Sequence, residues 1–284
     1  MSTTNNQISS THTKMSCTAI FTECIATLGA LFSSLCSATS SLLSTPNCAA
    51  AKPKMVIFDF DGTLMHTVDA IMTTWDLTFK ALFPVFTPSS EDLHRLISAG
   101  TPAAVTFETL WPAEHRDKLD VEECVKVFRE IYTIHGLPLQ RPFPFAKDVL
   151  LAIAERGIPI AIVSNKGTEV IKRTMQDHGL TGLVPDEFII GDPLYGANRK
   201  PHPAAYTNVL VPRFQGKLGE DLLAKEGDVL VVGDTVSDIK FAQNIGAKVC
   251  WCQFGDGDKQ ACEQLAPDFA IDELAHVLNV IEAL

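Results

Sequence analysis

The chain has 284 residues, of which 46% are hydrophobic and 20% are charged, and its formal net charge is −11. This length gives room for a large buried core, and the composition excludes a chain that is disordered over most of its length. A chain this acidic lacks the basic surface that nucleic-acid binding requires, so we expect no nucleic-acid partner.

Residues 1–54 differ in composition from the rest of the chain. They carry a formal charge of +2, contain 19 Ser and Thr residues, and include an uncharged run of 28 residues from Cys24 to Ala51. Because Ser and Thr interrupt this run throughout, a membrane-spanning helix is not expected. We predict a disordered extension, or a stretch that precedes a natural start at Met55. A transit peptide and a signal or anchor segment are the alternatives.

The eight cysteines contain no CxxC pair, and they are too sparse for the disulfide framework of a small secreted domain. Cys250 and Cys252 lie in an apolar run and are predicted to be buried thiols. We therefore expect a reduced, cytoplasmic protein, or an organellar one if residues 1–54 act in targeting.

From Met55 onward, short apolar runs alternate with helical patterns. This alternation predicts the α/β class, with a Rossmann-like parallel sheet and helices on both of its faces. The predicted strands are 55–60, 159–163, 187–190, 229–232 and 248–252. The predicted helices of this part are 146–156, 168–178, 203–211 and 237–245, and a surface loop is predicted over 211–226. In such sheets the chemistry gathers at the carboxyl ends of the strands.

Residues 66–142 interrupt the alternation with helical patterns and no good strand. Helices are predicted here over 68–82, 89–98, 103–110 and 121–135. We therefore expect an all-helical cap domain over 66–142, inserted into an α/β core that is formed by 55–65 and 143–284. The two linkers, 65–68 and 140–145, are the candidate hinges.

Two pairs of acidic residues follow predicted strands. Asp59 and Asp61 end the first strand, where residues i and i+2 share a face, and Asp234 and Asp238 follow the fourth. Close carboxylates repel unless one is protonated or a cation lies between them, which suits a metal-bound nucleophile beside a general acid. Oxygen ligands without His or Cys favour Mg²⁺. Asp238 also stands three residues after Thr235, so helix capping alone is the alternative there.

Polar residues also follow the second strand and precede a predicted helix. Ser164 and Asn165 offer a hydroxyl and an amide that could bind an oxyanion, although a capping turn has the same residue types. Lys200 stands directly before Pro201, and taken by itself it is equally an ordinary surface lysine.

Taken together and in chain order, these fragments resemble the haloacid dehalogenase-like superfamily. The fragments are Asp59-Phe-Asp-Gly-Thr-Leu64, Ser164-Asn165, Lys200-Pro201 and Gly233-Asp-Thr-x-x-Asp238. The first fragment is quite specific, and the resemblance covers everything after Pro53. Tyr132-Thr-Ile-His-Gly136 and Arg141-Pro-Phe-Pro144 are similar to the phosphoglycolate phosphatase branch, which carries a helical cap after the first motif.

The resemblance implies Mg²⁺-dependent hydrolysis of a small phosphorylated metabolite, with 2-phosphoglycolate as the best candidate. By this resemblance, Asp59 attacks phosphorus to form an aspartyl-phosphate, and Asp61 protonates the leaving alkoxide and then activates water. Mg²⁺ is expected on Asp59, on the backbone carbonyl of Asp61 and on Asp234, with Asp238 near its waters. The residues expected to contact the phosphoryl group or offset its charge are Thr63, Ser164, Asn165 and Lys200.

The residues also bear on other activities of the same fold. Asp61 argues against dehalogenation, because a halide leaves without a proton. A phosphonate hydrolase needs a cap lysine, for which Lys80 is the candidate. A sugar phosphomutase and a catalytically inactive binding or scaffold protein stay as alternatives.

Three positions bear on substrate choice or depart from the pattern of the branch. His66 replaces a residue that is usually acidic, and it is predicted either to contact substrate or to lie at the hinge surface. Arg95 is a candidate for substrate binding by the cap, with an exposed helix position as the alternative. Phe145 stands where the branch typically has Gly, and we expect it to alter how the cap meets the core. Further candidates in the cap and its linker are Ser98, Gly100 and Arg141.

Overall fold

The computed structural model describes residues 52–112, 120–192, 198–218 and 228–284. The predicted extension therefore lies outside the described residues up to position 51. The described strands are β1 Met55–Phe58, β2 Met65–His66, β3 Arg141–Pro142, β4 Ile160–Gly167, β5 Ile189–Asp192, β6 Val229–Gly233, β7 Lys248–Cys252 and β8 Phe269–Ile271. Six of them form one parallel sheet in the order β5-β4-β1-β6-β7-β8.

Helices flank the sheet and fill the segment between β2 and β3. They are α1 Val68–Leu82, α2 Ser90–Ser98, α3 Ala103–Leu110, α4 Val121–Ile131, α5 Ala146–Glu155, α6 Thr168–Asp177, α7 Val211–Leu218, α8 Val236–Ile245, α9 Lys259–Gln264 and α10 Val277–Ala283. Turns of π-helix adjoin α4 and α7, at Tyr132–Gly136 and Ala205–Leu210. Within the described residues, no helix has the length and apolar character needed to cross a membrane.

The centre of the sheet forms because its strands are apolar on both faces, as expected for a covered parallel sheet. All four residues of β1 and all five of β6 are buried. β1 pairs with β4 on one side and with β6 on the other. The carboxyl ends of these three strands are therefore neighbours, and the predicted Rossmann-like α/β fold is confirmed.

Two predictions about the sheet region were wrong. The surface loop predicted over 211–226 begins as helix α7, because Val211 and Phe214 are buried against the core and keep the segment helical despite Pro212; residues 219–227 lie outside the described residues. The sequence also missed β8, whose three residues pair with β7. A three-residue strand is too short to show a periodic pattern.

The described residues from α1 to the π-helical turn, 68–112 and 120–136, form a helical insertion with an apolar cluster of its own. Trp75, Phe79 and Phe107 lie at its centre, and this cluster is separate from the one that surrounds the sheet. The rings of Trp75 and Phe107 meet edge to face, with centroids 4.8 Å apart. Such aromatic pairs add to the stabilisation from buried apolar area. The insertion therefore carries its own packing, as the predicted helices require.

The two linkers of the insertion pair with each other. Met65 lies opposite Pro142, and His66 lies opposite Arg141, in a two-residue antiparallel ladder of β2 and β3. The expectation that 66–142 contains no strand was wrong at these two ends. The paired residues are far apart in the chain and each strand has two residues, so no local pattern indicates them.

The described cysteines are free and buried, which confirms the prediction for Cys250 and Cys252. Burial raises the pKa of the Cys250 and Cys262 thiols to about 12. Thiols with a pKa this high are unreactive at neutral pH, so these residues serve in packing.

Phe145 adopts a left-handed backbone conformation, with φ of 65°, directly before α5. This region costs an L-residue with a Cβ about 1–2 kcal/mol relative to Gly. The ring is 48% exposed, so packing offsets this cost only in part. The left-handed backbone at position 145 therefore gives a physical reason why Gly suits this position.

We expect Phe145→Gly to be more stable than Phe145→Ala by about 1 kcal/mol, because both variants lose the ring and only Ala keeps the backbone cost. Urea unfolding measures the difference. The matched control is Leu151, which is half-exposed within α5. At this position Leu151→Ala should be more stable than Leu151→Gly by about 1 kcal/mol, as expected for a helix interior. A higher stability for Ala than for Gly at position 145 would contradict the backbone argument.

Candidate active site at the carboxyl ends of β1 and β6

Three acidic side chains meet where β1 and β6 end. The backbone N–H of Asp59 donates to the carbonyl of Val232 at 2.9 Å, which fixes the exit of β1 beside that of β6. One carboxylate oxygen from each of Asp59, Asp234 and Asp238 lies within 4.8 Å of the other two. These three residues, called the acidic cluster below, come from the two motifs that the sequence predicted to converge.

The acidic cluster is buried, and its members repel one another. Asp59, Asp234 and Asp238 are 7%, 1% and 0% exposed. Burial, followed by the charge of Asp238, raises the pKa of Asp59 to about 7, with Lys200 acting in the opposite direction. Burial and the charges of Asp238 and Asp59 likewise raise the pKa of Asp234 well above its ordinary value. The cluster therefore has a deficit of positive charge.

Lys200 is the buried ammonium group of the cluster. Its Nζ lies 2.8 Å from Asp59 Oδ1 and 2.5 Å from Asp238 Oδ1. Burial alone lowers the pKa of a lysine, but Asp238 and Asp59 outweigh burial and hold the pKa of Lys200 above its ordinary value. The side chain stays protonated and bridges the two acids.

Asn165 holds the backbone of Lys200 from both sides. Its Oδ1 accepts from the Lys200 N–H at 2.9 Å, and its Nδ2 donates to the Lys200 carbonyl at 3.2 Å. Both ends of the amide are used in this way, which places the lysine at the end of β4. A contact of Asn165 with a bound phosphoryl group stays a prediction.

Asp234 is fixed by donors from two loops. Thr63 Oγ1 donates to its Oδ1 at 3.0 Å, and the backbone N–H of Asp256 donates to its Oδ2 at 2.9 Å. Gly62 makes the first contact possible, because it has a φ of 75° and a Cβ added there would lie 2.2 Å from Asp234 Oδ2. A side chain at position 62 would displace the carboxylate.

Asp238 serves the helix and the cluster together. Its Oδ2 accepts from the Thr235 N–H at 2.9 Å and from Thr235 Oγ1 at 2.7 Å, so it caps the start of α8. Its Oδ1 accepts from Lys200. The alternative that Asp238 acts in capping alone does not account for the second contact.

Asp61 lies apart from the acidic cluster. Its carboxylate accepts from Lys166 Nζ at 2.9 Å and 3.2 Å, and its side chain is 26% exposed. Lys166 in turn donates to the hydroxyl of Tyr132 at 2.5 Å. The second acid of the leading pair is thus the accessible one and has an ammonium partner of its own.

The other predicted site residues fall in different places. Ser164 is buried beside the cluster, and its Oγ accepts from the Lys166 N–H at 3.3 Å. His66 packs its ring 5.5 Å from that of Phe143, and its Nδ1 is buried without a hydrogen-bond partner among the described residues. Arg95 pairs with its neighbour Asp92 on α2 and is 64% exposed, which matches the exposed helix position given as the alternative.

Sequence reasoning missed four residues around the site. They are Lys166, Tyr132, His94 and Asp256. Burial raises the pKa of Asp256, and the charges of His66 and His94 act in the opposite direction. Lys166 directly follows Ser164 and Asn165, and Asp256 lies between two glycines after β7. For Lys166 and Asp256, the position at or after the carboxyl end of a strand was the signal in the sequence that could have indicated a site residue.

The acidic cluster fits a hard divalent cation. Among the residues that the structure describes, it offers oxygen donors alone, and three carboxylates face one ammonium group. Asp59 Oδ1 is buried and has no hydrogen bond from these residues, despite its ion pair with Lys200. Mg²⁺ prefers carboxylate oxygens and keeps several waters. Asp59 and Asp234 are the residues best placed to hold it.

Comparisons with known proteins agree with this geometry. Residues 56–252, more than half of the chain, match the family described as haloacid dehalogenase-like hydrolase. A phosphoglycolate phosphatase of Vibrio parahaemolyticus is 26% identical over 234 residues, covering 80% of this chain and 96% of the relative. Another, from Aliivibrio fischeri, is 29% identical over 233 residues, with 80% and 96% covered.

A solved structure shows the same fold. The crystal structure of a predicted phosphoglycolate phosphatase from Haemophilus somnus has a TM-score of 0.64 and 25% identity, covering 80% of this chain and 97% of that one. The order of the motifs, the parallel sheet and the matched length agree, and the chain belongs to the haloacid dehalogenase-like hydrolase family.

Proposed function

We propose that this chain is a Mg²⁺-dependent phosphatase that hydrolyses a small phosphomonoester, with 2-phosphoglycolate as the best candidate. The observation that carries the proposal is the buried acidic cluster with its single ammonium group, next to a separate, accessible Asp61. The names of the relatives support the substrate class. The comparisons support phosphatase chemistry more directly than they support any one substrate.

In the first half of the reaction, Asp59 is the nucleophile. Its carboxylate oxygen forms a bond to phosphorus while the bond from phosphorus to the alkyl oxygen breaks, which gives an aspartyl-phosphate. Asp61 donates its proton to the departing alkoxide. Its accessibility and its distance from the cluster suit this role, since the leaving group departs on the side opposite the nucleophile.

In the second half, Asp61 takes a proton from water as the water oxygen attacks phosphorus. The bond between phosphorus and Asp59 breaks, inorganic phosphate leaves, and both carboxylates return to their starting states. The same residue thus acts first as acid and then as base. The alternative of a sugar phosphomutase differs at this step, because a sugar hydroxyl takes the place of water.

The cations of the site supply the charge that a phosphate dianion needs. Lys200 contacts Asp59 directly and offsets the charge between nucleophile and phosphate. Mg²⁺, when bound by Asp59, the Asp61 carbonyl and Asp234, neutralises charge on the phosphoryl oxygens. Asp238 orients Lys200 through their ion pair. The Ser164 hydroxyl and the Thr63 amide are the proposed donors to the phosphoryl oxygens.

The helical insertion is proposed to act as the cap of this enzyme, with bounds 66–142, over a core formed by 55–65 and 143–284. Its paired linkers, β2 and β3, place it next to the first motif. Closure excludes water from the first transfer, and opening admits substrate. A cytoplasmic location stays a prediction.

Asp59→Asn should lower kcat by at least about a thousandfold, because an amide is a poor nucleophile. Without metal at about pH 8 the same variant should unfold at a higher temperature than the wild type. The fold raises the pKa of Asp59 to about 7, so ionisation of this acid destabilises the folded state as the pH rises towards that value. Phosphate release and thermal unfolding in EDTA measure the two effects.

The matched control for this variant is Asp177→Asn, an exposed acid that pairs with Arg173 on α6. It should change neither quantity appreciably. Full turnover in Asp59→Asn would contradict the role of Asp59 as nucleophile, and an unchanged or lower unfolding temperature would contradict the charge argument.

Mg²⁺ should bind more tightly as the pH rises towards about 7, because the cation displaces at least one proton from the raised pKa of Asp59. The apparent affinity should fall at least about tenfold for each pH unit below that value. Isothermal titration calorimetry in two buffers of different ionisation enthalpy measures both affinity and proton release. In Asp59→Asn the pH dependence should shrink, and an affinity independent of pH in the wild type would refute the argument.

A panel of phosphate esters should rank 2-phosphoglycolate at least about tenfold above sugar phosphates and nucleotides in kcat/KM. We propose His66 as the contact for the carboxylate of such a small substrate, because its buried Nδ1 has no hydrogen-bond partner within the described part of the chain. If sugar phosphates have a kcat/KM at least tenfold higher than 2-phosphoglycolate, the proposed substrate is wrong, and the proposed phosphatase activity still stands. Isomerisation of a sugar phosphate without phosphate release would indicate the mutase, and no turnover of any ester would indicate the scaffold. Asp59→Asn serves as the control for contaminating phosphatases.

A further inference from the structure

Lys166 joins the candidate acid–base residue to the helical insertion. Its Nζ contacts both oxygens of Asp61, at 2.9 Å and 3.2 Å, and the hydroxyl of Tyr132 at 2.5 Å. The lysine side chain is 9% exposed. A little-exposed ammonium group that is held between two hydrogen-bond partners has little orientational freedom, so it fixes the position of both.

Tyr132 takes its position from the insertion and its linker. It opens the π-helical turn after α4, and its ring stacks on that of Phe128 with centroids 6.1 Å apart. Its hydroxyl also accepts from Gln140 Nε2, at 2.9 Å, just before β3. The location of the hydroxyl therefore depends on how the insertion is seated on the core.

The two buried lysines of the site serve different acids. Lys200 contacts Asp59 and Asp238, whereas the ion pair of Lys166 is with Asp61. Burial lowers the pKa of Lys166, but Asp61 and Tyr132 outweigh burial and hold it above its ordinary value. A positive charge at this place orients the Asp61 carboxyl group, and an oxygen held in this way can present its proton to the leaving group and later accept one from water.

We propose that Lys166 is a positioning residue for Asp61, and that Tyr132 makes this positioning depend on the seating of the helical insertion. The inference rests on the proposed function, in which Asp61 is the acid and base. Asp61 is then held in its working orientation when the insertion is seated. When the insertion moves away, Lys166 loses one of its partners and the carboxylate loses its fixed orientation.

Lys166→Met and Tyr132→Phe test the proposal by the dependence of the rate on the leaving group. p-Nitrophenolate departs without a proton, whereas an alkoxide needs the proton of Asp61. In Lys166→Met, kcat/KM should fall at least about tenfold for an alkyl phosphate such as glycerol 2-phosphate, and much less for p-nitrophenyl phosphate. Tyr132→Phe, which keeps the ring, should show the same pattern to a smaller degree.

The second half of the reaction gives an independent measurement. If Asp61 is misplaced, water attack slows, and a burst of p-nitrophenolate should precede the steady state in Lys166→Met. Tyr132 is proposed to act through Lys166. The double variant should therefore have the same ratio of kcat/KM for the alkyl phosphate to kcat/KM for p-nitrophenyl phosphate as Lys166→Met alone. Lys166→Arg, which keeps the charge, should recover part of the alkyl phosphate activity.

The matched control is Lys172→Met, which removes a lysine of α6 that pairs with the exposed Asp186. This variant should leave kcat/KM unchanged for both substrates. Equal losses on both substrates without a burst, or additive effects of the two substitutions, would overturn the inference while the phosphatase stands. A wild type that hydrolyses no phosphomonoester would overturn the proposed function and the inference with it.

Discussion

Three carboxylates are buried against one ammonium group at the end of β1 and β6, and this imbalance governs the site. Burial and mutual repulsion raise the pKa of Asp59 and Asp234, and Lys200 compensates only in part. The sheet, Gly62 and the capping of α8 all act to hold these groups together against that repulsion. A cluster of this kind is costly in the fold by itself and becomes favourable when a divalent cation is bound.

The site also separates two chemical tasks between two ion pairs. The side chains of Asp59 and Lys200 are almost fully buried, whereas that of Asp61, paired with Lys166, is 26% exposed. The two acids are two residues apart in the chain, yet Asp59 pairs with Lys200 from a loop, and Asp61 pairs with Lys166 at the end of β4. In the proposed mechanism, this separation lets Asp59 act as the nucleophile and Asp61 exchange protons, although both are aspartates.

The sequence predicted the parts of this structure that depend on local pattern. The apolar runs located five strands of the sheet, α1 and α3 have the predicted bounds, and the acids at strand ends marked the site. Contacts between distant segments had no such signal. Examples are the pairing of β2 with β3, the hold of Asn165 on Lys200, and the contact of Lys166 with Tyr132. Whether Arg95 faces solvent or the site depends on the phase of α2 relative to the core, which the composition of the helix does not give.

The short ladder between β2 and β3 has a consequence for how this architecture diversifies. The insertion carries its own aromatic cluster and enters and leaves the core through two paired residues on each side. A different helical segment with the same two ends could replace it without disturbing the strands that hold the acids. The new segment would have to supply a hydroxyl that accepts from Lys166, as Tyr132 does here. This hydrogen bond therefore limits which helical segments could replace the insertion.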